Sequence, residues 1–130
     1  MTCKEIYDAA ISLVAESRDP ADTADYEERA PYLLAAFCSE LKDTDQKLRA
    51  LSGDDEVEFG DTLYLKLDSV FPLQSKLSAC AALYLAAMLV IDDQPELSDR
   101  LYDRYCDSVC RITESISCAN EKTVNRYFVN

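Results

Sequence analysis

The chain contains no histidine, no tryptophan, only two glycines and four prolines. Each shortage excludes something. Without histidine there is no Ser/His/Asp or Cys/His constellation for nucleophilic catalysis. No glycine-rich loop follows a strand pattern, so a backbone cradle for phosphate has no support. Positive charge is also scarce, with 13 basic against 25 acidic residues and a net charge of −12. A protein that grips a nucleic-acid backbone displaces counterions with Lys and Arg, and here the basic residues are few and scattered. The same balance opposes an anionic membrane surface. It permits high solubility, a basic protein partner, or a surface that DNA passes without sticking.

A membrane-spanning run is missing as well. The longest greasy stretch, Ala79 to Ile91, carries no charged residue. A spanning helix needs about 20 apolar residues, and this run is shorter. It fits a helix surrounded by other helices at the centre of a bundle. The first ten residues, "MTCKEIYDAA", show neither a basic start nor a long apolar core, so a cytosolic, reducing environment is expected. The six cysteines, Cys3, Cys38, Cys80, Cys106, Cys110 and Cys118, are then expected as free thiols. Their spacing lacks the paired knuckles of a zinc site, and they read as small core hydrophobes.

What is present favours helices. Thr2-x-x-Glu5 is a capping box, followed by an apolar face of Ile6, Ala10, Leu13 and Val14, with Tyr7 and Ile11 beside it. Pro20 and its Asp/Thr neighbours mark a turn. A second helix is expected from about Asp25 to Leu51, with Ala30, Leu34, Phe37, Cys38, Leu41 and Leu48 on one face. Pro31 is expected in the first turn of its main part, after a short turn at "DYEERA", because proline inside a helix costs about 3 kcal/mol. "KDTD" at 42–45 is expected to bend or split that helix, and Ser52-Gly53 to end it.

From 54 to 69 the period changes to two, which predicts a short β-hairpin or an extended arm at about 55–68. Gly60-Asp61 suits the hairpin turn. Pro72 and Ser75 signal the start of the greasy helix, and Pro95 its end. A last helix follows at once, with Leu97, Leu101, Tyr105, Val109, Ile112 and Ile116 as its inner stripe. Asp99, Arg100, Asp103, Arg104, Asp107, Arg111 and Glu114 form its wet face, so 73–118 is a tight αα-hairpin. The pattern fades in "ANEKTVNRYFVN". The expected fold is therefore all-α: a bundle of four to five helices over 1–118, and a C-terminal arm or tail over 119–130.

Two carboxylate pairs, Glu40/Asp43 and Glu96/Asp99, each place acids one turn apart. Two such pairs facing each other can hold Mg2+, an arrangement similar to that of all-α nucleoside-triphosphate pyrophosphatases. No set of basic residues for phosphates accompanies them, and E-x-x-D arises readily by chance among 25 acids. Solvated helix faces are the plainer reading.

The stretch "DYEERAPYLLAAFCSEL", followed by "LDSVFPLQSKLSACAALYLAAMLVIDDQPELSDRLYDRYCDSVCRI", resembles the head–tail connector (adaptor) proteins of tailed phages and prophages. The resemblance rests on an extended segment, a Phe-Pro entry, an Ala/Leu-rich helix, an acidic "DDQPEL" turn and a "YDRY" helix, over about 63–112. "RAPYLL" at 29–34 adds to it. It implies a structural subunit, not an enzyme. Such a subunit needs no cofactor or metal, joins portal to tail proteins, and forms a ring that lines the DNA channel without sequence-specific DNA binding. The expected places are the host cytoplasm and the virion. The apolar residues that the bundle leaves unused, Val57, Phe59, Leu63, Leu65, Tyr127, Phe128 and Val129, are the expected assembly contacts. The alternatives are a Mg-dependent nucleotide pyrophosphatase-like enzyme or an acidic protein that mimics DNA.

Overall fold

The computed structural model describes the backbone of residues 1–14, 20–60 and 62–128, and the side chains of those residues except 20–22 and 120–128. The described residues form an all-α bundle of four helices: α1 (Cys3–Leu13), α2 (Pro20–Ser52), α3 (Ser78–Leu89) and α4 (Pro95–Phe128). A short 3-10 turn at Ser75–Leu77 leads into α3. No strand forms among the described residues; the one β-type pairing is an isolated antiparallel bridge between Thr2 and Val70.

The greasy helix lies at the centre. α3 touches α1, α2 and α4, and Cys80, Ala81, Ala82, Leu83, Leu85, Ala86, Ala87 and Leu89 along it are all buried. Around it sit Ile6, Tyr7 and Ala10 of α1, Leu34, Phe37 and Cys38 of α2, and Leu101 and Tyr105 of α4. Phe37 is an aromatic hub, with ring centroids 5.7 Å from Tyr84, 6.1 Å from Tyr105 and 6.4 Å from Phe71.

The abrupt end of α3 is built from backbone chemistry. A helix leaves its last carbonyls without intrahelical partners. Here the Ala86 carbonyl accepts the Val90 N–H, the Ala87 carbonyl the Ser98 hydroxyl at 2.8 Å, and the Met88 carbonyl the Arg29 guanidinium at 3.3 Å. The Val90 carbonyl then accepts the Gln94 N–H at 2.8 Å, and Pro95 opens α4, where its missing N–H costs nothing. Ile91, Asp92 and Asp93 lie exposed on the outside of this turn.

Several expectations need correction. α2 starts at Pro20, not near Asp25, because proline at a first helical position starts a helix as readily as it breaks one. α2 also runs unbroken through Pro31 and through 42–45. The Pro31 ring is buried, and its carbonyl accepts the Leu65 N–H at 3.1 Å, so tertiary packing offsets the local cost. The bend expected at "KDTD" is absent because Asp45 turns inward to partners of its own. α4 continues through Phe128, so the tail expected at 119–130 begins inside a helix. The C-terminus of α2 closes as expected. Gly53 adopts φ 75, with Asp54 N–H on the Arg49 carbonyl and Gly53 N–H on that of Ala50, a Schellman closure.

Candidate interaction surface

Between Gly53 and Gln74 the described residues form an arm without helix or strand. The hairpin reading of 55–68 is therefore wrong, and the extended-arm reading stands. Asp61, half of the expected turn, lies outside the described residues. The period of two does survive from 64 to 70. Leu65, Leu67 and Ser69 lean on the bundle, while Tyr64, Lys66, Asp68 and Val70 face out.

The partner of this arm is the start of α1. The Cys3 N–H donates to the Ser69 carbonyl at 2.9 Å, and the Lys4 N–H to the Leu67 carbonyl at 2.7 Å. The Glu5 N–H donates to the Thr2 hydroxyl at 3.3 Å, and the Phe71 N–H to the Met1 carbonyl at 2.9 Å. The first three orphan donors of α1 are thus satisfied, two by the arm and one by the expected cap.

A polar clasp anchors the arm's two ends to each other. Asp45, 3% exposed, accepts from Arg49 Nε at 2.9 Å and from the Gln74 N–H at 2.7 Å. Arg49 also donates to the Pro72 carbonyl, and the Gln74 amide to Ser52 and Asp54. Gln74 Oε1 is buried without a partner. Sequence reasoning missed this clasp. The available signal was an acid at a core-facing step of α2, four residues before an arginine.

The expected contact residues divide. Leu63 is 84% exposed and Val57 42% exposed. Phe59 and Leu65 instead pack against the bundle's own core. Phe59 does so loosely, beside an open cleft of about 520 Å3 that it lines with Lys42, Asp43, Gln46, Glu58 and Gly60. Tyr64 and Tyr32 add exposed rings next to Leu63 and meet edge to face at 5.0 Å. Tyr127 and Phe128 end α4, and their side chains, like Val129 altogether, lie outside the described residues. The arm thus exposes Leu63 and Tyr64, the latter against Tyr32 of α2, and separately Val57 among Asp55, Glu56 and Glu58.

Other candidates fare differently. All six cysteines are free thiols, but only Cys3, Cys38 and Cys80 are in the core. Cys106, Cys110 and Cys118 are exposed, against expectation. The inner stripe of α4 already held the reason, since 105, 109, 112 and 116 leave 106 and 110 one step off the buried face. Burial pushes the Cys38 thiol up to about 12, helped by the nearby Cys3 and Asp45, and raises Cys3 and Cys80 as well. The carboxylate pairs Glu40/Asp43 and Glu96/Asp99 do not converge. Among the described residues, no group of three or more Cys, Asp or Glu side chains is gathered as a metal site requires. No helix among them is long and apolar enough to cross a membrane.

No protein-family model, curated protein or solved structure matches the chain.

Proposed function

We propose that this chain is a structural assembly subunit of the head–tail connector kind, not an enzyme, joining a portal to tail-completion proteins at the virion's head–tail junction. The observation that carries the reading is the arm. A soluble bundle with a complete core gains nothing from holding Leu63 almost fully in water beside Tyr64, whose exposed ring meets that of Tyr32. Contiguous exposed apolar groups of this kind mark contact sites. The net charge of −12 supports a channel-facing role, since DNA slides past a like-charged wall.

The test is light scattering of the protein mixed with the portal protein encoded in the same genome. The reading expects a complex that Leu63→Asp weakens while thermal melting stays unchanged. A parent protein that leaves the portal monodisperse and unbound defeats it. A Leu63→Asp variant that binds as well as the parent removes the arm from the contact.

A further inference from the structure

α4 carries Arg100, Arg104 and Arg111, all exposed. At 3.6 residues per turn they fall within about 40° of one another, a single stripe about 16 Å long. Asp103 and Asp107 stand three residues after Arg100 and Arg104, within reach of helical pairing. Even so, none of the three arginines forms an ion pair or hydrogen bond with a described residue. The ion pairs seen among the described residues are Lys4–Asp8, Arg29–Asp25 and Arg49–Asp45. In a chain of net charge −12, a row of free guanidinium groups is conspicuous.

The arm holds the complementary feature. Asp55, Glu56 and Glu58 are exposed and likewise without a described partner, and Val57 stands exposed between two of them. Asp55 and Glu58 can stand up to about 10 Å apart on extended chain. Arg104 and Arg111 are about 10 Å apart along the helix axis. Within one chain, no ion pair among the described residues joins the arm to α4.

We propose that the acidic run Asp55–Glu58 of one copy docks along the Arg100–Arg104–Arg111 stripe of a second copy. Donor and acceptor patches lie on different parts of the subunit, so the contact is head-to-tail and repeats around a ring or along a filament. Pairing one arm with another is opposed by like charge, so the acidic run needs a basic surface elsewhere on the subunit. The proposal rests on the assembly reading but uses a different contact from the one that meets the portal.

The experiment is charge exchange read by sedimentation of the full chain. One variant carries Arg100→Glu, Arg104→Glu and Arg111→Glu; the other carries Asp55→Arg, Glu56→Arg and Glu58→Arg. All six positions are exposed, and helicity and melting confirm that each variant folds. The parent is expected to self-associate with rising concentration, less so at high salt. Each variant alone should associate at least about tenfold more weakly. An equal mixture of the two should recover association, because each arm then finds an opposite stripe. A parent that stays monomeric at the highest soluble concentration overturns the proposal. So does a variant that associates as the parent does, or a mixture of folded variants that stays monomeric. Portal binding is scored on the same variants. Its retention when self-association is lost separates the two contacts, and its loss in the parent counts against the assembly reading alone.

Discussion

At the residue scale, burial sorts side chains that the sequence treats as alike. Cys38 lies in the core with its thiol held up at about 12, while Cys106, Cys110 and Cys118 face solvent. Only thiolate reacts at a useful rate, and only when reached. A colorimetric thiol reagent at neutral pH should therefore consume three thiols quickly in the native protein and all six after denaturation. More than three fast thiols would place a core cysteine wrongly. The same burial sets an alkaline limit. Cys38 rises from 9.0 and Tyr7 from 10.0, each to about 12, and Cys3, Cys80, Tyr84 and Tyr105 rise too. The folded state keeps these protons while the unfolded chain releases them. Stability is therefore fully present below about pH 9 and falls as pH climbs toward 12, which urea melts across that window will read. Asp45 is the residue whose loss should cost most for its size. Asp45→Ala leaves Arg49 and the Gln74 N–H without their acceptor, a cost of about 2–4 kcal/mol. A denaturant midpoint equal to the parent's would show that the clasp is dispensable.

At the element scale, the arm and α1 stabilise each other. α1 is only 11 residues long, too short to persist alone in water. Its first N–H groups depend on carbonyls of Leu67 and Ser69, and the arm's Phe71 N–H in turn on the Met1 carbonyl. Hydrogen exchange should therefore show the amides of Cys3, Lys4 and Phe71 opening together. Replacing Phe59 and Leu65 with serine loosens the arm's apolar hold and should accelerate all three, while leaving Leu85 in α3 protected. Independent rates for Lys4 and Phe71 would mean that the arm is not the cap of α1.

At the scale of the whole molecule, net charge decides what the protein avoids. With 25 acids against 13 bases, attraction of duplex DNA to any local basic stripe is outweighed by repulsion from the rest. Gel-shift assays at physiological salt with random duplex should show no binding at micromolar protein. A sub-micromolar complex would mean that the Arg100–Arg104–Arg111 stripe reads phosphate instead of carboxylate, and would undermine both the channel-wall role and the contact between copies.

The sequence by itself determined the all-α class, with four to five helices expected, the Thr2 cap, the Gly53 closure, the buried centre at α3 and the inner stripe of α4. Those depend on periodicity and on capping within a turn, interactions that reach three or four residues along the chain. It also carried the period of two in the arm and the charge balance. Only the tertiary structure decided what the arm pairs with, because Ser69 and Cys3 are distant in sequence and no local pattern joins them. It alone decided that Pro31 sits inside a continuous helix, since burial beneath the arm offsets a penalty that is all the sequence displays. Asp45 points inward and Leu63 outward for the same reason. A polar group is buried where partners await it, and an apolar one is exposed where the fold leaves nothing to cover it.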